Sequence, residues 1–236
     1  HPEVVSSRRG DQGVQQPHGE RVADVELAPH HVEADEAGAL RAPAELHGIR
    51  ILSIHAPTLL VTQRVWGNDP WVKIDRSIDL AVEVGADTVV LHPPFRWQRE
   101  YAAGFIDGVA LREHDTGMRL AVENMYPWRG PRSREVEAYL PHWDPVPQPY
   151  DHVTLDLSHT ATAGSDAVGM VHDLGPRLAH LHLADGVGSP RDEHLVPGHL
   201  LQVAAVVQAG QRVADRLLAQ LRVQLLDLRQ AGRQLG

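Results

Sequence analysis

Five segments of the chain share one layout: a helix-stopping element, a mostly apolar run, then an imidazole or a carboxylate. Gly48 leads through Ile-Arg-Ile-Leu-Ser-Ile to His55, Gly85 through Ala-Asp-Thr-Val-Val-Leu to His92, and Gly117 through Met-Arg-Leu-Ala-Val to Glu123. Gly175 leads through Pro-Arg-Leu-Ala-His-Leu to His182, and Tyr150-Asp151 opens a looser case that ends at Asp156. Each run predicts a buried strand with a polar side chain at its C-terminal end. Strands this apolar, separated by helices, imply a parallel sheet covered on both faces.

The helices between the strands follow from their own punctuation. Asn68-Asp69-Pro70 reads as a helix start, with a capping side chain and proline in the first turn, and the helix runs to about Val84. Gly85 then ends it as a left-handed cap. Further helices are expected over Gln98–Arg112, Ser133–Leu140 and from a Ser165 cap to about Leu174. Before Gly48, Val22–Ala28 reads as a short strand ending near Glu26, and Glu33–Leu46 as a helix interrupted by Pro43. Leu200–Leu221 reads as a C-terminal helix, followed by a doubtful last strand at Arg222–Leu228. Residues 1–20 read as a poorly ordered polar segment.

The expected fold is a single α/β domain over residues 1–236, a (β/α)8 barrel that is incomplete or irregular at its first and last strands. Its core spans 48–198, and residues 200–236 hold the C-terminal helix and last strand. With 236 residues, 42% of them hydrophobic, the chain can bury one sizeable core.

Charge and composition narrow the function classes. The formal net charge is −9 and the one lysine is Lys73, so binding of nucleic acid through its phosphates is not expected. Cysteine is absent, which excludes disulfides and thiolate metal sites. No apolar run is long enough for a membrane span, and His1–Arg9 has no signal-peptide core, so a cytoplasmic protein is expected. Self-association into a homo-oligomer is left open.

Sixteen histidines are the compositional excess. His55, His92, Glu123, Asp156, His159, His182, Asp192 and His194 all fall at predicted strand ends or in the loops just after them. In a barrel those positions converge on one mouth. Imidazole and carboxylate together suit a divalent metal such as zinc, manganese, cobalt or magnesium, with one to three ions. Trp97, Trp128 and Trp143 follow strand ends and can wall a sugar pocket or simply pack. Arg96, Arg129 and Arg191 can hold a phosphate or carboxylate, or stay solvated.

Six stretches, in order, resemble the xylose-isomerase-like barrels, which include sugar isomerases, epimerases and apurinic-site endonucleases. They are Ser53-Ile-His55-Ala-Pro57, Leu91-His-Pro93, Val122-Glu-Asn124, Leu155-Asp-Leu-Ser-His159, His180-Leu-His-Leu-Ala-Asp185 and Asp192-Glu-His194-Leu-Val-Pro-Gly198. The resemblance implies that Glu123, Asp156 and His182 form the common metal site. It implies that His159 contacts substrate or a further metal, and that His55, His92, Asp192 and His194 match additional ligands of the endonucleases. The remaining common ligand, a glutamate on the last strand, has no clear equivalent here; Asp227 is the nearest candidate.

Three functions follow as expectations. The first is a metal-dependent isomerase or epimerase acting on a sugar or sugar phosphate through an enediolate. Glu123, His159 and Asp227 would be its catalytic residues, and Trp97, Trp128 and Arg191 would bind substrate. The second is an apurinic-site phosphodiesterase. The third is a degenerate, non-catalytic barrel.

Overall fold

The computed structural model describes residues 24–27, 37–47, 50–57, 65–129 and 135–183. Six strands form one parallel sheet: β1 (Asp24–Leu27), β2 (Arg50–His55), β3 (Thr88–Leu91), β4 (Arg119–Glu123), β7 (Val153–Asp156) and β8 (Leu178–His182), adjacent in that order. The sheet is curled. β8 comes within contact distance of β3 and β4, neither of which is its hydrogen-bonding neighbour. Curvature of this kind turns one face of the sheet inward and leaves the other to the helices.

Period-two alternation decides which side chain faces which layer. Ile54, Leu91 and Val122 are buried in the main core with Ile74, Ile78 and Ala81 of α2 (Pro70–Val84) and Phe105 and Val109 of α4 (Phe105–Thr116). Leu155 and Leu181 pack with Met170 and Val171 of α6 (Ala167–Leu174). The next residue along each of these strands therefore faces the inside of the curl. Those residues are His55, His92, Glu123, Asp156 and His182.

Local signals set the helix ends. Asp69 caps α2 by accepting from the Trp71 and Val72 N–H groups, and Pro70 occupies the first turn. Gly85 and Gly117 end α2 and α4 at φ 78° and 70°, a left-handed conformation in which a Cβ would clash with the backbone. Helix α1 (Ala37–Leu46) runs on through Pro43.

Three expectations need correction. The helix expected over Gln98–Arg112 is two helices, α3 (Arg99–Ala103) and α4, separated at Gly104, and α4 continues to Thr116. The helix expected over Ser133–Leu140 is not formed by the described residues of that span. β6 (Glu135–Val136) instead pairs antiparallel with β5 (Trp128–Arg129), and Tyr139 bridges to Phe95. Tertiary partners outbid the helix there: Arg96 N–H donates to the Ala138 carbonyl, Leu140 N–H donates to Pro94, and Ala138 and Tyr139 are buried against Phe95 and Met125. Finally, Asp166 rather than Ser165 caps α6, accepting from Val168 N–H. Among the described residues, no helix is long and apolar enough to cross a membrane.

Candidate metal centre

The strand registers bring the polar strand ends together. β2 pairs with β3 as His55 to Val90, β3 with β4 as Leu91 to Val122, and β7 with β8 as Asp156 to His182. Glu123 stands at the middle of the resulting cluster and is 2% exposed. Its Oε2 lies 2.9 Å from His92 Nε2 and 3.3 Å from His55 Nε2. Its Oε1 lies 3.1 Å from His182 Nδ1 and 3.3 Å from His159 Nδ1. The second carboxylate, Asp156, is fully buried and shares the same imidazole, with Oδ2 3.3 Å from His182 Nδ1.

The other oxygen of Asp156 is occupied locally. Oδ1 accepts from Ser158 Oγ at 2.7 Å and from His159 N–H at 2.9 Å. Asp156 is thus the N-cap of a short helix, α5 (Leu157–Ala163). The cap places His159 three residues on, back over the cluster. Tyr126 stands beside it, ring centres 5.1 Å apart.

Burial by itself would raise the Glu123 carboxyl. The charge of His92 and hydrogen bonds from His159, His182 and His55 outweigh burial and hold it well below the usual carboxylate range. Burial likewise works to raise Asp156. A hydrogen bond from His182, the charge of His159 and the His159 N–H bring it down, against repulsion from Glu123. His92 is lowered because burial disfavours its charged form more than Glu123 favours it.

The donor set fits a divalent cation. Ligands about 2.1 Å from an ion sit about 3.0 Å apart at adjacent octahedral corners and about 3.4 Å apart in a tetrahedron. The imidazole–carboxylate separations of 2.9–3.3 Å match such polyhedron edges. His55, His92 and Glu123 form one compact group of donors, and Glu123, Asp156 and His159 form another. Ring orientation agrees at His55. Its Nδ1 lies 2.9 Å from the Ala56 carbonyl, which can only accept, so Nδ1 keeps its proton; Nε2 donates to the Glu123 carboxylate only in the charged ring and in the neutral ring turns a lone pair toward it. A lone pair facing an anion is repulsive unless a proton or a metal ion stands between them. Two buried carboxylates also bring two negative charges into the cluster, which a divalent cation would balance.

The expected substrate-side tryptophans come together as well. Trp97 stacks on Phe95 with ring centres 4.4 Å apart and planes 7° apart, and Trp128 lies 5.9 Å from both rings. Tyr139 completes this wall from the segment that had been read as helix. Arg96 and Arg129 each donate to a main-chain carbonyl, of Glu137 and Thr162 respectively. Arg191, Asp192, His194 and Asp227 lie outside the described residues. A cleft of about 460 Å³ between α1, α2 and the start of β2 is lined by Arg41, Glu45, Arg50 and Asp87. It opens at the opposite end of the strands from the histidines.

Sequence reasoning assigned no role to Asn124, Ser158 or Tyr126. Asn124 directly follows a ligand candidate at a strand end, and Ser158 sits two residues after another. Those adjacencies were the available signal.

Comparison with known proteins agrees with this architecture. An uncharacterized protein of Mycobacterium tuberculosis is 47% identical over 192 residues, covering 74% of this chain and 69% of that one. The crystal structure of a D-tagatose 3-epimerase-like protein superposes with a TM-score of 0.53 at 18% identity, covering 86% of this chain and 90% of that one. An AP endonuclease, family 2, from Brucella melitensis superposes with a TM-score of 0.54 at 12% identity, covering 79% and 78%. At such identities the two structures speak for the fold. The model of the xylose isomerase-like TIM barrel matches residues 10–209, and the chain belongs to that family.

Proposed function

We propose that the chain is a divalent-metal-dependent isomerase or epimerase acting on a sugar or sugar phosphate through an enediolate. The observation that carries this reading is the placement of Glu123: a buried carboxylate with two imidazoles on each oxygen, next to a second buried carboxylate that shares His182. His55, His92, Glu123, Asp156 and His182 would hold the ion. A bound divalent ion would polarise a keto sugar's oxygens, acidify the adjacent C–H and stabilise the enediolate charge.

The chain's own residues do the rest. Glu123 is ionised at neutral pH and is therefore in the form that accepts the C–H proton. A carboxylate this weakly basic removes a proton only from a carbon already acidified. His159 offers an imidazole to the substrate oxygens. Trp97 and Trp128 present aromatic faces to the C–H side of a sugar ring, with Arg191, further along the chain than β8, as an additional contact. Asp227 is the carboxylate we nominate to return the proton on the opposite face.

One observation favours a second reading. The two donor groups share Glu123, which suits a pair of ions and hence phosphodiester hydrolysis at an abasic site. The net charge of −9 opposes it, since a phosphate backbone needs a cationic surface. Incubation of metal-loaded protein with candidate keto sugars in heavy water separates the two. Chelator-sensitive deuterium incorporation at the carbon next to the carbonyl supports the first reading. Chelator-sensitive nicking of an abasic oligonucleotide, without exchange, would replace it with the second.

A further inference from the structure

Asn124 is 1% exposed and lies one residue beyond Glu123, where β4 ends. Its backbone N–H still follows the ladder and donates to the Thr154 carbonyl. Its side chain then takes over the pairing. Oδ1 accepts from Asp156 N–H at 2.6 Å, and Nδ2 donates to the Asp156 carbonyl at 3.2 Å. A carboxamide has the same donor and acceptor as a peptide group, so it can stand in for the next rung of a parallel ladder. The substitution frees a main-chain group. The Asn124 carbonyl accepts from His159 Nδ1 at 2.8 Å instead of from a neighbouring strand.

A carbonyl oxygen has no proton to give. His159 Nδ1 must carry the hydrogen, and in the neutral ring Nε2 carries none. Nδ1 also lies 3.3 Å from Glu123 Oε1, a longer contact than the one to Asn124. Ligation through Nδ1 would require giving up the Asn124 bond. The ring therefore presents Nε2 as its lone-pair nitrogen.

We infer that Asn124 is a positioning residue of the metal centre: its side chain replaces a rung of the β4–β7 ladder, and its freed carbonyl fixes the tautomer of His159. This inference rests on the reading of the cluster as a metal centre. Outer partners of this kind hold ring orientation and raise ligand affinity. The same side chain ties the backbone of Asp156 to that of Glu123, so both carboxylates keep their spacing.

The test is long-range proton–nitrogen correlation on nitrogen-15 histidine-labelled full-length protein without metal, at a pH where imidazoles are neutral. The His159 resonances are assigned by their loss in His159→Gln. Wild type is expected to show the Nδ1–H tautomer at His159. Asn124→Ala leaves the Asp156 N–H without its acceptor, and the main-chain carbonyl is expected to return to the ladder. The Nδ1–H form of His159, left with only the longer contact to Glu123, should then lose population to the Nε2–H form, and cobalt affinity should fall about 10- to 100-fold. An Nε2–H tautomer in wild type would overturn the inference, and so would an unchanged tautomer in a folded Asn124→Ala protein. Asn124→Asp keeps the acceptor for Asp156 N–H, so it should retain the Nδ1–H form. If Asn124→Ala does not fold, loss of that form in Asn124→Asp counts against the inference. Failure of wild type to bind cobalt would instead sink the metal reading, and the tautomer would still be measurable.

Discussion

His92 Nε2 lies 2.9 Å from Glu123 Oε2 because Leu91 and Val122, the residues just before them, are paired across two parallel strands. The contact needs no long reach from either side chain. It follows from register, and register follows from the apolar faces that the preceding residues bury against the helices.

Removing the central charge should abolish the site. Glu123→Gln keeps the shape but loses the anion that two imidazoles flank on each side. Metal affinity should drop by more than about 100-fold, beyond the loss typical of an outer partner. Calorimetric titration with zinc or cobalt measures this. The rise in Tm that metal gives wild type should vanish in the variant.

Acid should destabilise the metal-free protein in two stages. His92 is lowered on folding from its ordinary 6.5, so its neutral form contributes stability above that value, which is lost as pH falls through the lowered one. Glu123 and Asp156 are lowered from 4.5 and 3.8, so their contribution is full above those values and lost below them. Tm should be level above about pH 7, decline below about 6.5 and fall more steeply below about 4.5. A Tm that rises on acidification from pH 7 to 5 would contradict the His92 assignment, and a Tm that rises on acidification below about 4.5 would contradict those of Glu123 and Asp156.

Gly108 sets a packing test away from the site. Glycine to alanine within a helix ordinarily gains about 1 kcal/mol. Here the added Cβ lands on the Trp71 ring, over which Arg112 stacks at 4.2 Å while it pairs with Asp75. Overpacking costs roughly 1–3 kcal/mol, so Gly108→Ala should be neutral to destabilising by about 2 kcal/mol. Urea unfolding decides the sign.

Trp97 is half exposed, so its loss should cost little stability. If its ring meets substrate, Trp97→Ala should raise KM about 3- to 10-fold with a smaller change in kcat, equivalent to roughly 0.5–1.5 kcal/mol of contact. An unchanged KM would reduce the ring to packing on Phe95.

Much of this was legible in local sequence. The strands β2, β3, β4, β7 and β8 were each marked by an apolar run, and four of them by a preceding glycine. The ligand candidates were legible because they interrupt those runs at the end. The antiparallel pairing of β5 with β6 was not legible. Residues 135–140 have a helix-compatible composition; Glu135 and Val136 pair with Arg129 and Trp128, while Ala138–Leu140 bond to residues just after β3, far away in sequence. The break at Gly104 was likewise hidden, since glycine alone lowers helix stability without dictating a boundary.

The chain by itself determined the alternation of strand and helix, the face each strand turns inward and the residue types at the strand ends. These depend on near neighbours, through periodicity, capping and glycine geometry. The tertiary structure alone decided that Glu123 sits between four imidazoles, that Asp156 shares His182, and that Asn124 completes a ladder with its side chain. Those relations depend on register across a curled sheet. Register is fixed by the summed packing of many buried residues, which no single stretch of sequence contains.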